Sequence, residues 1–218
     1  MIETMEILSH PLYLAPVPLY AHLFESDGFI VDGHSPFVKQ TYRNRTTIAT
    51  ECGEQSLTIP IIHDAGTVAM QDIRISEHGN WRHRHWNALV SAYRKSPFFD
   101  YYADDFAHFY EERDGFLMDF NLRLHSVVCD LLGIGNNIRI ATQEEPQKET
   151  IDLRRIAEPC ALKTAQDTGH VTYYQVFAER NGFIPNLSIA DLLFNMGPES
   201  LIVLRDISHF MQRHPKAY

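Results

Sequence analysis

Residues 117–132, LMDFNLRLHSVVCDLL, set Leu117, Phe120, Leu124, Val127, Val128 and Leu131 at the 3.6-residue period of a helix, and Gly133 stands where a C′ glycine closes one. A helix with a single apolar stripe must lay that stripe on another layer of structure. Material for such a layer is present as short apolar runs at 6–8, 29–31, 56–62, 73–75 and 138–141, several rich in Ile and Val. Further helical patterns fall at 19–24, 81–95 and 106–113. Strands separated by helices predict an α/β chain with a mixed or mainly parallel sheet and flanking helices, with α+β as the alternative. Its 218 residues, 44% of them apolar, suit one large core, so 1–218 reads as a single domain with TQEEPQKET, 142–150, as a solvated loop. Beyond that loop the expectation is a short helix in IDLRRIAEP, a strand in VTYYQVFA, and a helix in LSIADLLFNMG capped by Asn186 or Ser188.

Charge narrows the functional classes. A formal net charge of −9 has the wrong sign for coating nucleic acid or an anionic membrane, so neither partner is expected. The start, MIETMEILSHPLYLAP, lacks the basic and long apolar regions of a secretory signal, and no run reaches the roughly 18 apolar residues of a membrane span, which predicts a cytoplasmic protein without membrane insertion. Cys52, Cys129 and Cys160 are odd in number and widely spaced, which suggests reduced thiols and no metal site. Neither a Gly-rich phosphate loop nor a G-x-S-x-G or H-E-x-x-H motif occurs.

Four polar clusters interrupt the apolar pattern. In NWRHRHWNALVSAYRKSPFFDYY, 80–102, Asn80 is a good N-cap and Pro97 a stop, and Trp81, Ala88, Leu89 and Ala92 then share one face with His85 in its middle. His83 and His85, two apart, point to nearly opposite sides and cannot chelate one ion. His85 is either a core imidazole with a hydrogen-bond partner or a residue facing a cleft beside Trp81; Arg82, Arg84, Arg94 and Lys95 read as a solvated surface. KQTYRNR brings Lys39, Tyr42, Arg43, Asn44 and Arg45 together, as an anion-binding group or as a polar strand edge. SHPLYLAPVPLYAHL holds His10 and Tyr13 in a proline-stiffened loop or packs them as an aromatic one. In the fourth, Asn186, Ser188, Asp191 and Asn195 interrupt an apolar helix, and capping alone accounts for Ser188 and Asp191.

In this order the clusters resemble the WbqC-like family of bacterial proteins associated with surface polysaccharide and O-antigen genes. The resemblance rests on His10, Pro11, Tyr13 and Pro16; on Lys39, Tyr42, Asn44 and Arg45; on Leu57, Ile59 and Pro60; on the run from Trp81 to Phe99; on Asn121; and on the run from Pro185 to Glu199. Two departures accompany it: many relatives resemble a Gln-Pro where this chain has His10-Pro11, and the stretch from Ile140 to Tyr174 is short. The resemblance implies transfer of glycine or another acyl or aminoacyl group onto a surface sugar, with a small-molecule sugar precursor or activated amino acid as partner and no cofactor indicated. Non-catalytic binding of a glycan precursor is the alternative. On the transferase reading His85, His10 and Asp191 are the candidate catalytic groups: His85 would serve as base. Tyr13, Lys39, Tyr42, Asn44, Arg45, Trp81, Asn121 and Asn186 would hold substrate.

Overall fold

A strand buried on both faces must be apolar throughout, and GFIV at 28–31 is buried at every position. The computed structural model describes residues 5–62, 66, 68–142, 150–163 and 171–214. In chain order its elements are β1 (Glu6–Ser9), α1 (Val17–Phe24), β2 (Gly28–Val31), β3 (Arg45–Thr50), β4 (Gly53–Thr58), α2 (Trp81–Tyr93), α3 (Phe99–Glu111), α4 (Leu117–Leu132), β5 (Ile138–Ile140), β6 (Thr150–Asp152), α5 (Pro159–Lys163), α6 (Ala178–Asn181), α7 (Ile189–Met196) and α8 (Ser200–Arg213). β1, β2, β5 and β6 form a four-stranded sheet in the order β5-β2-β1-β6, parallel at every pairing, with Ile7 opposite Phe29 and Ile151. β3 and β4 make a separate antiparallel hairpin. The chain is therefore α/β.

A parallel pair cannot be closed by a tight turn. Helix α1 makes the crossing from β1 to β2, entered through Pro16 and Pro18 and packed along α8. Its His125-facing side leads to α4, since the His125 ring lies 5.4 Å from Tyr20 of α1 and 4.9 Å from Phe29 of β2. Gly133 ends α4 in the left-handed conformation, and Ile134 N–H donates to the Cys129 carbonyl 3.1 Å away, the hydrogen bond that the C′ glycine predicts. Ser188 caps α7 by accepting from Ala190 N–H.

Several expectations are corrected. Asn80 makes no capping bond; it sits at φ 48°, ψ 40°, a left-handed turn entered through Gly79. The 56–62 run is strand only to Thr58, and its partner is the basic segment beginning at Arg45. Residues 73–75 form single bridges, from Ile75 to Ile61 and Arg74 to Phe116. The helix expected at 106–113 begins at Phe99, just after Pro97. IDLRRIAEP starts in β6 and then turns through a 3-10 segment, Arg154–Ala157, before α5. VTYYQVFA is not a strand, because Gln175 turns inward to bond both the N–H and the carbonyl of Ile184 and so takes the place of a strand partner. Of the 142–150 loop, 143–149 lie outside the described residues and Thr150 opens β6.

Candidate functional site

His85 is buried, and its Nδ1 lies 2.9 Å from the Tyr13 hydroxyl, which lies 2.9 Å from that of Tyr110. Burial pushes the imidazole down to about 4, against a backbone hydrogen bond to Thr58 that favours the charged form. The ring is therefore neutral near pH 7, and the Tyr13 hydroxyl links it to Tyr110 in one buried chain of hydrogen bonds. Trp81 meets His85 edge-on at 5.1 Å. Arg82 is no solvated surface residue: its guanidinium lies 4.5 Å over Trp81 and donates to the Phe109 carbonyl. Arg84, Arg94 and Lys95 are exposed, as expected.

The loop that carries His10 and Tyr13 is tied down from three directions. Asn121 Nδ2 donates to the Pro11 carbonyl at 3.0 Å and to that of Arg43 at 2.8 Å. Thr46 and Ser188 both donate to the Leu14 carbonyl, and Tyr13 N–H donates to Tyr42. Asn44 likewise spends its amide on the backbone, at the Ile59 carbonyl. Replacing Asn121 by alanine leaves two buried carbonyls without these donors, so Asn121→Ala is expected to cost roughly 2–4 kcal/mol in urea unfolding. A midpoint equal to that of the unchanged protein would remove Asn121 from this role.

Three adjacent parallel strands end together below this loop. β1 runs out at Ser9 into His10, β2 at Val31 into Asp32, and β6 at Asp152 into Arg154. β1 has β2 on one side, reached through α1, and β6 on the other, reached only after the chain has passed β2 and β5. In open α/β sheets ligands bind beyond the carboxyl ends of strands at such a reversal. Here His10 Nδ1–H donates to the Asp32 carbonyl at 3.3 Å, which directs the Nε2 lone pair away from that bond. Arg154 donates to both Asp152 oxygens and, at 3.0 Å, to Asp32, while Arg43 pairs with Glu158 at 3.1 Å. Burial lowers the His10 imidazole, and the Arg43 and Arg154 charges lower it further. Burial alone would raise the Asp32 carboxyl, but hydrogen bonds from Ser35 and Arg154 outweigh it and hold the group at about 2. His10 and Arg43 are buried while Asp152, Arg154 and Glu158 remain partly exposed above them, so the cluster reaches the surface.

The remaining candidates lie apart from this edge or at its margin. Asp191 is fully buried in the first turn of α7, where burial raises it to about 6 against hydrogen bonds from Tyr173 and Tyr93. Arg45 bonds Thr58 across the hairpin, and Lys39 is exposed. Tyr42 and Asn186 meet in one surface cleft. The structure thus joins His85, Tyr13 and Trp81 in the core, and puts His10, Tyr42 with Asn186, and Asp191 in three other places.

A profile of the WbqC-like protein family matches residues 11–168. The chain belongs to that family. It is similar to the uncharacterized protein Rv1507c of Mycobacterium tuberculosis (strain ATCC 25618 / H37Rv), 30% identical over 207 residues that cover 82% of this chain and 88% of that protein. No solved structure gives a significant match.

In this WbqC-like chain, sequence reading missed Asp32 and Arg154. Each is a charged residue just beyond a strand, and the signal for Asp32 was its place directly after the apolar run 29–31. Reading also missed a Cys–His pair: Cys129 Sγ lies 3.3 Å from His125 Nε2, with Tyr20 on the other ring nitrogen. Burial pushes that thiol up to about 12 and the imidazole down to about 4, so the pair is a neutral core contact rather than an activated nucleophile. Among the described residues no group of three or more His, Cys, Asp or Glu is placed to hold a metal ion, and no helix is long and apolar enough to cross a membrane.

Proposed function

We propose that this WbqC-like protein transfers glycine or another acyl or aminoacyl group in surface polysaccharide biosynthesis, and that its sugar acceptor docks at the carboxyl edge of the parallel sheet. The observation that supports this most is the convergence of His10, Asp32, Asp152 and Arg154 at the ends of three neighbouring strands. Two guanidinium groups there face three carboxylates, counting Arg43 and Glu158, so the cluster suits a neutral polyhydroxyl group better than a bare phosphate. Fixed donors and acceptors of both kinds are what sugar hydroxyls need. His10 Nε2 serves as acceptor, a task that a glutamine amide, as in the relatives this chain resembles, also performs. With the net charge of −9, no nucleic acid enters this reading.

Thermal-shift titration against monosaccharides and nucleotide sugars tests it. A ligand at 100 times its dissociation constant adds roughly 2.7 kcal/mol of stability. The expected result is a shift from one sugar class, lost in His10→Ala and in Arg154→Ala; a sugar shift that survives both variants would place the acceptor elsewhere. Non-catalytic binding is the second reading, favoured by the burial of His85 and Asp191, which keeps two candidate catalytic groups from a substrate. On that reading His10→Gln leaves sugar affinity intact and no acyl donor is consumed in its presence.

A further inference from the structure

A polar cleft adjoins the carboxyl edge, since its lining includes Tyr42 and Pro159, the chain neighbours of the paired Arg43 and Glu158. It has a volume of about 250 Å³ and is lined by Tyr42, Thr47, Glu54, Pro159, Leu162 and Pro185 with Asn186. Its polar groups come from three elements: Thr47 from β3, Glu54 from β4, and Asn186 from the turn before α7, held at φ 59°, a left-handed conformation that asparagine tolerates. Asn186 Nδ2 donates to the Leu162 carbonyl at 3.2 Å, which leaves Oδ1 as its open acceptor. The Thr47 hydroxyl and the Tyr42 phenol line the cleft together with the Glu54 carboxylate. Among the described residues the lining holds no basic side chain, and Glu54 is its single charge. The Glu54 carboxylate is exposed and, among the described residues, takes part in no ion pair.

A cleft whose polar groups are mainly acceptors around one uncompensated carboxylate repels phosphate and carboxylate ligands. What complements it is a group with several N–H donors and a positive charge, small enough to stand between apolar walls. We propose that this cleft binds the primary ammonium group of a small ligand through Glu54, Asn186 Oδ1 and the hydroxyl pair of Tyr42 and Thr47. The ligand class is an amino-bearing acyl group; that last step rests on the transferase reading, whereas ammonium binding itself does not. The two sites then divide the substrates, with the sugar at the carboxyl edge and the amino end of the donor in the cleft.

The test is an amide NMR titration of the full chain with glycinamide, which carries an ammonium and no carboxylate, beside N-acetylglycinamide, which lacks the charge. Saturable shifts at Thr47, Glu54 and Asn186 are expected with glycinamide alone, weakened at least ten-fold in Glu54→Gln. Glu51→Gln, which removes a nearby acid paired with Arg180, should leave the titration unchanged. Equal shifts from the acetylated probe, shifts confined to other residues, or full binding by Glu54→Gln would each overturn the assignment. Sugar shifts lost in His10→Ala would persist through any of those outcomes, so a failure here is separable from a failure of the transferase reading.

Discussion

Lowering the pH from 7 to 5 is expected to remove about 5 kcal/mol of this protein's folding free energy. Three histidines are held neutral by burial, each pushed down to about 4: His22, His85 and His125. In the unfolded chain they titrate near 6.5, so between those values the unfolded state binds more protons and stability falls as pH falls. At pH 5 each costs roughly 2 kcal/mol, about 6 together. Asp191 acts with the opposite sign: its pKa is raised to about 6, so its burial penalty is full above that value and is relieved on acidification, returning roughly 1 kcal/mol by pH 5. The net loss of about 5 kcal/mol is as large as the whole stability of many domains. Circular dichroism and tryptophan fluorescence against pH measure it. The slope of unfolding free energy near pH 5 should correspond to about two protons taken up. An unfolding free energy that is the same at pH 7 and pH 5 would show that these imidazoles do not carry the dependence.

Gly197→Ala is the substitution expected to cost most. Gly197 lies at φ 52°, ψ −128°, outside the range of residues with a side chain, and a Cβ there would come within 2.5 Å of Phe98 Cγ. Phe98 has little freedom to retreat, because its N–H donates to Phe194, whose ring packs against Phe99 and Phe106. Strain and overpacking together are expected to remove roughly 3–5 kcal/mol, measured by urea unfolding. Gly135→Ala is the control: nothing lies within 4 Å of its Cβ position and its φ is not in the left-handed region, so that variant should match the parent or gain slightly. Equal midpoints for the two variants would mean that the α7 terminus yields.

Periodicity is a property of neighbouring residues, and what depends on it was legible before any coordinates. The stripe of α4 with its Gly133 terminus, the apolar cores of β1, β2 and β5, and the cap Ser188 all follow from spacing within a few turns of chain. The apolar face of α2 had His85 in its middle but left core and cleft as alternatives, and its burial decides for the core. Misreadings arose where a distant partner supplies the stabilisation. Arg45 begins a strand because Thr58 pairs with it, and 171–177 leave the extended form because Gln175 finds Ile184. Pattern also could not separate the roles of polar residues on apolar faces. Asn121 and Asn44 proved to bind backbone, and Asp191 to sit among tyrosines. The sheet order, the meeting of His10 with Asp32 and Arg154, and the cleft joining Tyr42, Glu54 and Asn186 were decided by tertiary structure alone. Residues 10, 32 and 154 are far apart in the chain, and only parallel pairing of three strands, each too short to announce its neighbours, brings their carboxyl ends to one place.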